Sequence, residues 1–114
     1  SVINNLSVGF IGINTVGVIT FFNPAAKEIL NIDEEYIGKD YNELDDRLFR
    51  IKEIIRDTKN GKLVKNGKVV YKINNMDKNI CFSTLYIRNT DGSVLGSAVV
   101  FQDMTDACNA ENKG

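Results

Sequence analysis

The stretch from residue 16 to residue 30, VGVITFFNPAAKEIL, constrains the fold of this 114-residue chain more than any other segment. Its residues 18–22 are β-branched or aromatic and follow Gly17, which is typical of a short buried strand. Asn23 can accept hydrogen bonds from the first free N–H groups of a helix. Pro24 suits the first helical position because no N–H group is needed there. The stretch therefore predicts a core strand that turns abruptly into a capped helix ending near Leu30.

The segments on either side predict a hairpin and then a row of short helices. Residues 8–13 form the expected first strand, and residues 14–17 the turn into the second. Asn31 is expected to end the first helix in a left-handed conformation. Asp33 is expected to cap a short turn at 34–36, and residues 41–44 to form another helical turn.

The longest predicted helix opens at Asp45 or Asp46 and runs to about residue 57. Its apolar residues recur at spacings of three and four and form one stripe, which consists of Leu48, Ile51, Ile54 and Ile55. Three alternating strands are predicted beyond it, at 68–73, 79–88 and 94–102. The last is apolar on both faces and is expected to be central. Because strands and helices are grouped in this way, we predict an α+β fold with a five-stranded antiparallel sheet.

The residue composition and net charge of the chain exclude several classes of function. The chain has no histidine and two cysteines, and its net charge is −1. Histidine-ligated haem, histidine-containing zinc sites and histidine-dependent nucleophilic catalysis are therefore excluded, and direct nucleic-acid binding has little electrostatic support. Cys81 is expected to be a buried or half-buried hydrophobe in a strand, unpaired with Cys108. At 114 residues the chain is expected to be one domain. No apolar run is long enough for a membrane span and no leader is recognisable, so we expect the domain to be cytoplasmic, with membrane tethering of a full-length parent through other segments left open.

Two motifs resemble those of PAS domains, the sensory modules of bacterial signalling proteins. Residues 14–26 resemble the opening pattern D-x-x-G-x-I-x-x-x-N-x-A, with Asn14 in place of the usual Asp. Residues 92–96 followed by Asp103, Met104 and Thr105 resemble the closing hairpin and D-I-T motif. The resemblance covers about residues 6–105, so the chain 1–114 is interpreted as one PAS domain. Residues 106–114 are then a frayed tail or the start of a linker to an effector.

The resemblance implies strand order 2-1-5-4-3 and several short helices on one face of the sheet. It also implies a cavity between the two layers that holds a small ligand in some members. From strand parity and helical phase, the expected lining is Ile11, Ile13, Phe21, Ile37, Tyr41, Leu48, Ile51, Ile55, Tyr71, Phe82, Thr84, Val99 and Phe101. Of these, Tyr41, Tyr71 and Thr84 could orient a ligand, and Asp103 with Thr105 would relay the signal to a linked effector.

No cofactor is expected in that cavity beyond an unidentified small molecule. The light-sensing flavin members carry an Asn-Cys-Arg segment in the helical wall, whereas residues 38–42 contain no cysteine. Phe101 stands where those members have a flavin-facing Gln. Chromophore attachment at Cys81 is disfavoured because it lies on a strand, and the chain has no Trp to stack on a flavin. No metal site and no catalytic constellation are predicted.

The resemblance also implies partners and a function. A homodimer is expected through the outer face of the sheet and the N-terminal segment, with Ala98 and Val100 on the contact face. The domain is expected to sense a small ligand or a partner and to relay the result to a histidine kinase or transcriptional regulator. The alternative is a ligand-free dimerisation module whose core is filled by its own side chains. An enzyme on a similar scaffold is a third possibility. It would need a group with a perturbed pKa in the cleft, for which the sequence offers Tyr41 or Tyr71.

Overall fold

The structure is a computed structural model that describes residues 8–104, apart from the side chain of Tyr71. Its five strands are β1 (Gly9–Asn14), β2 (Ile19–Phe22), β3 (Gly67–Ile73), β4 (Met76–Arg88) and β5 (Val94–Asp103). Its α-helices are α1 (Pro24–Leu30) and α2 (Phe49–Lys59), and two 3₁₀ turns lie between them at Tyr41–Glu43 and Asp46–Leu48. The predicted α+β class is confirmed.

One antiparallel sheet contains all five strands in the order β2-β1-β5-β4-β3. This is the order that the resemblance implied, and β5 is central, as its apolar sequence predicted. The helices cover one face of the sheet, which we call the inner face. The buried core lies between that face and the helices and includes Ile11, Phe101 and Ile51.

Asn23 caps α1 as the sequence predicted. Its Oδ1 atom accepts from the Ala26 N–H at 2.9 Å, and Pro24 occupies the first turn. The same oxygen accepts from the Phe10 N–H at 3.0 Å, and Nδ2 donates to the Val8 carbonyl at 2.9 Å. Asn31 ends the helix with φ 57°, in the left-handed region. The strand-to-helix corner is thus fixed by the side chain of Asn23.

The helical turn predicted at residues 34–36 was wrong. No helix begins at Asp33; the chain instead runs irregularly from residue 32 to residue 39. Ile32 and Tyr36 are buried along this path, because the loop turns those two side chains toward the core. The predicted long helix divides into the 3₁₀ turn Asp46–Leu48 and α2, with Ile51 and Ile55 buried and Ile54 half-buried on the predicted apolar stripe.

Candidate functional site

The interior between helices and sheet brings together most of the residues predicted to line a pocket. The sheet contributes inner-face side chains and the helical layer contributes the opposing ones. The members found in one buried cluster are Ile11, Ile13, Tyr41, Leu48, Ile51, Ile55, Val99 and Phe101. Thr84 is buried as well, and Phe82 is half-buried against the cluster. Their role in ligand binding stays a prediction.

Phe21 does not face the interior, so its assignment to the pocket was wrong. Its side chain is 59% exposed and lies on the outer face, where its ring meets that of Phe10 edge to face at 5.5 Å. The cause is a β-bulge. Gly12 pairs with Phe21 and Ile13 pairs with Ile19, so Thr20 is an extra residue in β2. The bulge turns Ile19 and Phe22 inward, three positions apart.

Ile37 also lies outside the interior, with 50% of its side chain exposed. It precedes Gly38, whose φ of 92° turns the chain, and the neighbouring Tyr36 takes the buried position. Tyr71 belongs to β3 and its backbone pairs with Lys78, but its side chain lies outside the described part of the structure. The ligand-orienting role expected for Tyr71 is therefore untested.

Sequence reasoning left several core residues out of the predicted site. They include Ile19, Phe22, Ile32, Tyr36, Leu44 and Ile80. Ile80 shares a strand face with Phe82 and Thr84, so its alternation was a signal that could have placed it in the site. The positions of Ile19 and Phe22 depend on the bulge, and those of Ile32 and Tyr36 on an irregular loop. Strand or helix periodicity carries no signal for such residues.

Two buried threonine hydroxyls of the interior are hydrogen-bonded to the backbone. Thr84 Oγ1 accepts from the Val64 N–H at 2.7 Å, and Thr58 Oγ1 donates to the Ile54 carbonyl at 2.7 Å. Within residues 8–104, no buried side-chain nitrogen or oxygen lacks a hydrogen-bond partner. Thr84, one of the three groups predicted to orient a ligand, thus holds the loop that precedes β3 against β4.

Tyr36 is the buried group whose acidity the fold changes. Burial raises the pKa of its hydroxyl above the ordinary value, and the carboxylate of Glu34 acts in the same direction. A hydrogen bond with the backbone of Asp45 opposes the change. The ring packs against Phe22 at 6.1 Å and under the Lys39 ammonium at 5.6 Å. The neutral phenol is therefore the form that the fold favours, and it joins the irregular loop to the next segment.

The outer face of the sheet carries a groove of about 730 Å³ that the sequence did not predict. We call it the outer groove; its lining residues are Val8, Phe10, Ile13, Asn14, Thr20, Phe21, Asn23, Ile87 and Leu95. Three smaller cavities have volumes of about 190, 210 and 360 Å³. None of these four cavities is lined by Leu48, Ile51 or Ile55. Of the predicted lining, Ile13 and Phe21 border the outer groove, and Phe82 and Phe101 border the cavity of about 190 Å³.

The predicted relay residue Asp103 is the last residue of β5. Its carboxylate lies 3.5 Å from the Lys78 ammonium, and the two side chains are 32% and 29% exposed. The next residue, Met104, donates its N–H to the Asn79 carbonyl at 2.7 Å. The start of β4 therefore holds the point where the chain leaves the sheet. Thr105 lies outside the described residues.

Comparisons with known proteins agree with this architecture. A family model described as the PAS fold matches residues 1–104. A "Probable C4-dicarboxylate sensor kinase" of Halalkalibacterium halodurans is 30% identical over 104 residues, which are 90% of this chain and 18% of that protein. A protein of the same description from Bacillus subtilis is 31% identical over 106 residues, or 91% of this chain and 18% of that protein.

A solved structure supports the fold independently. The PAS domain from Bordetella pertussis BvgS matches with a TM-score of 0.61 at 12% identity, covering 92% of this chain and 81% of that one. Sheet, helical layer and family match together define a sensory-type α+β module. The chain belongs to the PAS family. It spans 18% of the length of the two curated relatives, both of which are described as sensor kinases.

Two further observations concern membranes and metals. No helix in residues 8–104 has both the length and the apolar character that crossing a bilayer would require. Within the same residues, no three acidic, cysteine or histidine side chains come together in a group that could hold a metal ion.

Proposed function

We propose that this chain is the cytoplasmic PAS segment of a bacterial sensor histidine kinase. Two copies of the segment associate and relay a signal to the kinase region. The curated relatives support the kinase context, since the match covers nine-tenths of this chain in both. Because the chain spans only 18% of them, phosphoryl transfer is assigned to the rest of the protein. In this proposal the segment itself is non-catalytic and works without haem or flavin.

The observation that carries the proposal is the contrast between the two faces of the sheet. The inner face packs into a continuous core in which Ile11, Ile51 and Phe101 are each 1% exposed. A guest there would have to displace side chains, because protein interiors are packed at the density of organic crystals. The outer face instead offers the outer groove and the exposed ring of Phe21. A core filled by its own side chains and an apolar outer face suit protein contact better than ligand capture.

A second copy of this chain is the proposed occupant of the outer face. Val100 lies half-buried on this face of the central strand, where it pairs with Phe10 of β1. Ala98 pairs with Gly12 on the same face but is only 1% exposed, so it adds no open surface. Phe21, Leu95 and Val8 extend the apolar surface, with 59%, 52% and 42% of their side chains exposed. The same patch can face itself across a two-fold axis, which is the usual geometry of homodimers. Aromatic side chains such as Phe10 and Phe21 are enriched in the centres of such interfaces.

The name of the relatives raises C4-dicarboxylates as a candidate signal, and the described core argues against recognition within this segment. A dicarboxylate is a dianion, so a buried site for it needs cationic or strongly donating partners. Among residues 8–104, the buried polar groups are the hydroxyls of Thr58, Thr84, Ser97, Tyr36 and Tyr41, and none of them is cationic. We therefore place dicarboxylate recognition in another part of the full-length kinase.

Self-association tests the proposal. Phe21→Glu places a charge in the centre of the proposed contact, and we expect at least a tenfold weaker self-association, equivalent to about 1.4 kcal/mol. Phe49→Glu is the matched control, because Phe49 is 56% exposed but lies at the start of α2 on the opposite side. Sedimentation equilibrium over a range of concentrations measures the dissociation constant of each variant.

Three outcomes separate the possibilities. Weakening by Phe21→Glu alone supports a dimer through the outer face. Equal weakening by both variants, or by neither, overturns that assignment. Saturable binding of a small molecule that protects Phe101 and Ile51 from exchange would overturn the self-filled core and restore the ligand-sensing alternative.

A further inference from the structure

The end of α1 joins the helical layer to the exit of β5 through three consecutive carbonyl groups. We call the carbonyl oxygens of Ile29, Leu30 and Asn31 the α1 carbonyl cluster. Lys78 Nζ donates to the Ile29 carbonyl at 3.2 Å. Arg47 Nη1 donates to the Leu30 carbonyl at 3.1 Å, and Arg47 Nη2 to the Asn31 carbonyl at 2.6 Å. Two cations from different parts of the fold thus converge on one helix end.

The two cations belong to elements that are far apart in the sequence. Arg47 lies in the 3₁₀ turn Asp46–Leu48, which leads directly into α2. Lys78 lies near the start of β4, and its hydrogen bond to Ile29 spans 49 positions. The carbonyls at the end of a helix carry partial negative charge, so both cations are attracted to it. A shift of the turn that carries Arg47 therefore pulls on the same helix end that Lys78 holds.

Lys78 also contacts the exit strand. Its ammonium lies 3.5 Å from the Asp103 carboxylate, and the neighbouring Asn79 carbonyl accepts from the Met104 N–H at 2.7 Å. The side chains of Lys78 and Asp103 are about 30% exposed, so water screens their interaction only partly. The ammonium has three N–H donors, so it can contact a carbonyl and a carboxylate at the same time. The ion pair between Lys78 and Asp103 thus depends on the position of the end of α1.

We propose that the α1 carbonyl cluster is a coupling element that transmits movement of the helical layer, through Arg47 and Lys78, to the exit of β5. This inference rests on the proposed relay function and deepens it, because it names the residues that carry the signal inside one copy. Arg47 and Lys78 act as positioning residues. Coupling requires that disturbing one contact changes the other, and spatial continuity alone does not establish it.

Amide hydrogen exchange at Met104, measured by NMR, is the readout closest to the exit. We expect Lys78→Met to raise the exchange rate of this amide about threefold or more, because the clamp on the exit loosens. We expect Arg47→Gln to raise it as well, although its hydrogen bonds go to Leu30 and Asn31. The double variant should exchange close to the faster single variant, since both act through one path.

Two exposed ion pairs provide matched controls. Arg56→Gln removes a cation 3.5 Å from Asp57, and Lys72→Met removes one 3.1 Å from Asp77. Neither control should change exchange at Met104. Lys78→Arg retains the positive charge and should keep the rate close to that of the unmodified chain. The Val99 amide in the middle of β5 serves as a reference that detects a general loss of stability.

The results decide between coupling and independent contacts. An unchanged Met104 rate in Arg47→Gln, or strictly additive effects in the double variant, overturns the proposal. Sedimentation of the same variants separates this test from the dimer proposal, because the α1 carbonyl cluster lies apart from the outer groove. If the variants show the expected coupling at Met104 but the chain does not self-associate, only the dimer proposal is overturned. If the chain self-associates but the Met104 rates show no coupling, only the role of the α1 carbonyl cluster is overturned.

Discussion

At the scale of single residues, Asn23 shows how one side chain can determine a corner of the fold. Its amide contacts Phe10 and Val8 at the start of the first strand and Ala26 in the first helix. Serine or aspartate could cap the helix, but the contact to the Val8 carbonyl needs the amide donor. The asparagine therefore joins β1 to α1 in addition to ending a strand.

Asn23→Ala should lower the free energy of unfolding by about 2 kcal/mol, because it removes a helix cap and two strand contacts. Urea denaturation followed by circular dichroism measures the loss. Asn23→Asp keeps the acceptor oxygens and should cost about half as much. An equal loss in both variants would show that the donated hydrogen bond to Val8, not the cap, carries the effect.

Tyr36 makes stability depend on alkaline pH. Because burial raises the pKa of its hydroxyl, the unfolded chain loses this proton first, at an ordinary value of about 10. The stabilising effect is complete below that pH and is lost as pH rises from there through the folded pKa. The free energy of unfolding should therefore fall above about pH 10.

Tyr36→Phe should make this fall less steep and should cost about 1 kcal/mol at neutral pH, since the hydrogen bond with Asp45 is removed. Urea denaturation between neutral and alkaline pH measures both effects. Tyr86→Phe is the control, because the ring of Tyr86 is only half-buried. An unchanged slope in Tyr36→Phe would contradict the assignment.

At the scale of elements, the bulge in β2 explains why the sequence did not predict which side chains of this strand are buried. The strand was predicted as a core strand, but it lies at an edge of the sheet with only Ile19 and Phe22 buried. Its cap was predicted down to Asn23 and Pro24. Which of Phe21 and Phe22 faces the core depends on one extra residue, Thr20, opposite the step from Gly12 to Ile13. Apolar character at both positions gave no means of choosing between them.

Burial was predicted well in the regular elements, where no bulge interrupts the spacing. The stripe of α2 and the alternation of β4 repeat over several turns or residue pairs, so burial follows from sequence spacing. Ile37 and Tyr36 lie in an irregular loop where tertiary contacts alone decide which side chain is buried. The outer groove could not be predicted at all, because it is formed by side chains of strands that are distant in the sequence.

The central strand is held close to β1 at Gly96. A Cβ atom there would overlap the carbonyl oxygen of Ile13, which is backbone and cannot move aside. Gly96→Ala should therefore destabilise the fold by about 3 kcal/mol. Gly92→Ala is the comparison: its φ is 91° but its Cβ would meet open space. It should cost only about 1 kcal/mol. Thermal unfolding measures both, and similar losses would contradict the close approach.

At the scale of the whole molecule, the segment is proposed to transmit a signal that arises elsewhere. Succinate, fumarate or malate should leave the melting temperature of the 114-residue chain unchanged, because its described core has no cationic side chain for a dianion. Differential scanning calorimetry with and without each compound is the measurement. A saturable rise in melting temperature would mean that this segment recognises dicarboxylates itself.

The sheet has two edge strands, β2 and β3, and they limit how copies of the chain can meet. β2 is a four-residue strand with a bulge, and the loop after α1 already occupies its outer edge. The Ile19 N–H donates to the Lys39 carbonyl at 2.8 Å, and the Gly38 N–H donates to the Ile19 carbonyl at 2.8 Å. β3 is longer but carries Lys68 and Lys72, and lysines along an edge discourage strand addition. Growth edge by edge is therefore disfavoured at both ends. Copies that associate face to face form a closed pair that stops at two.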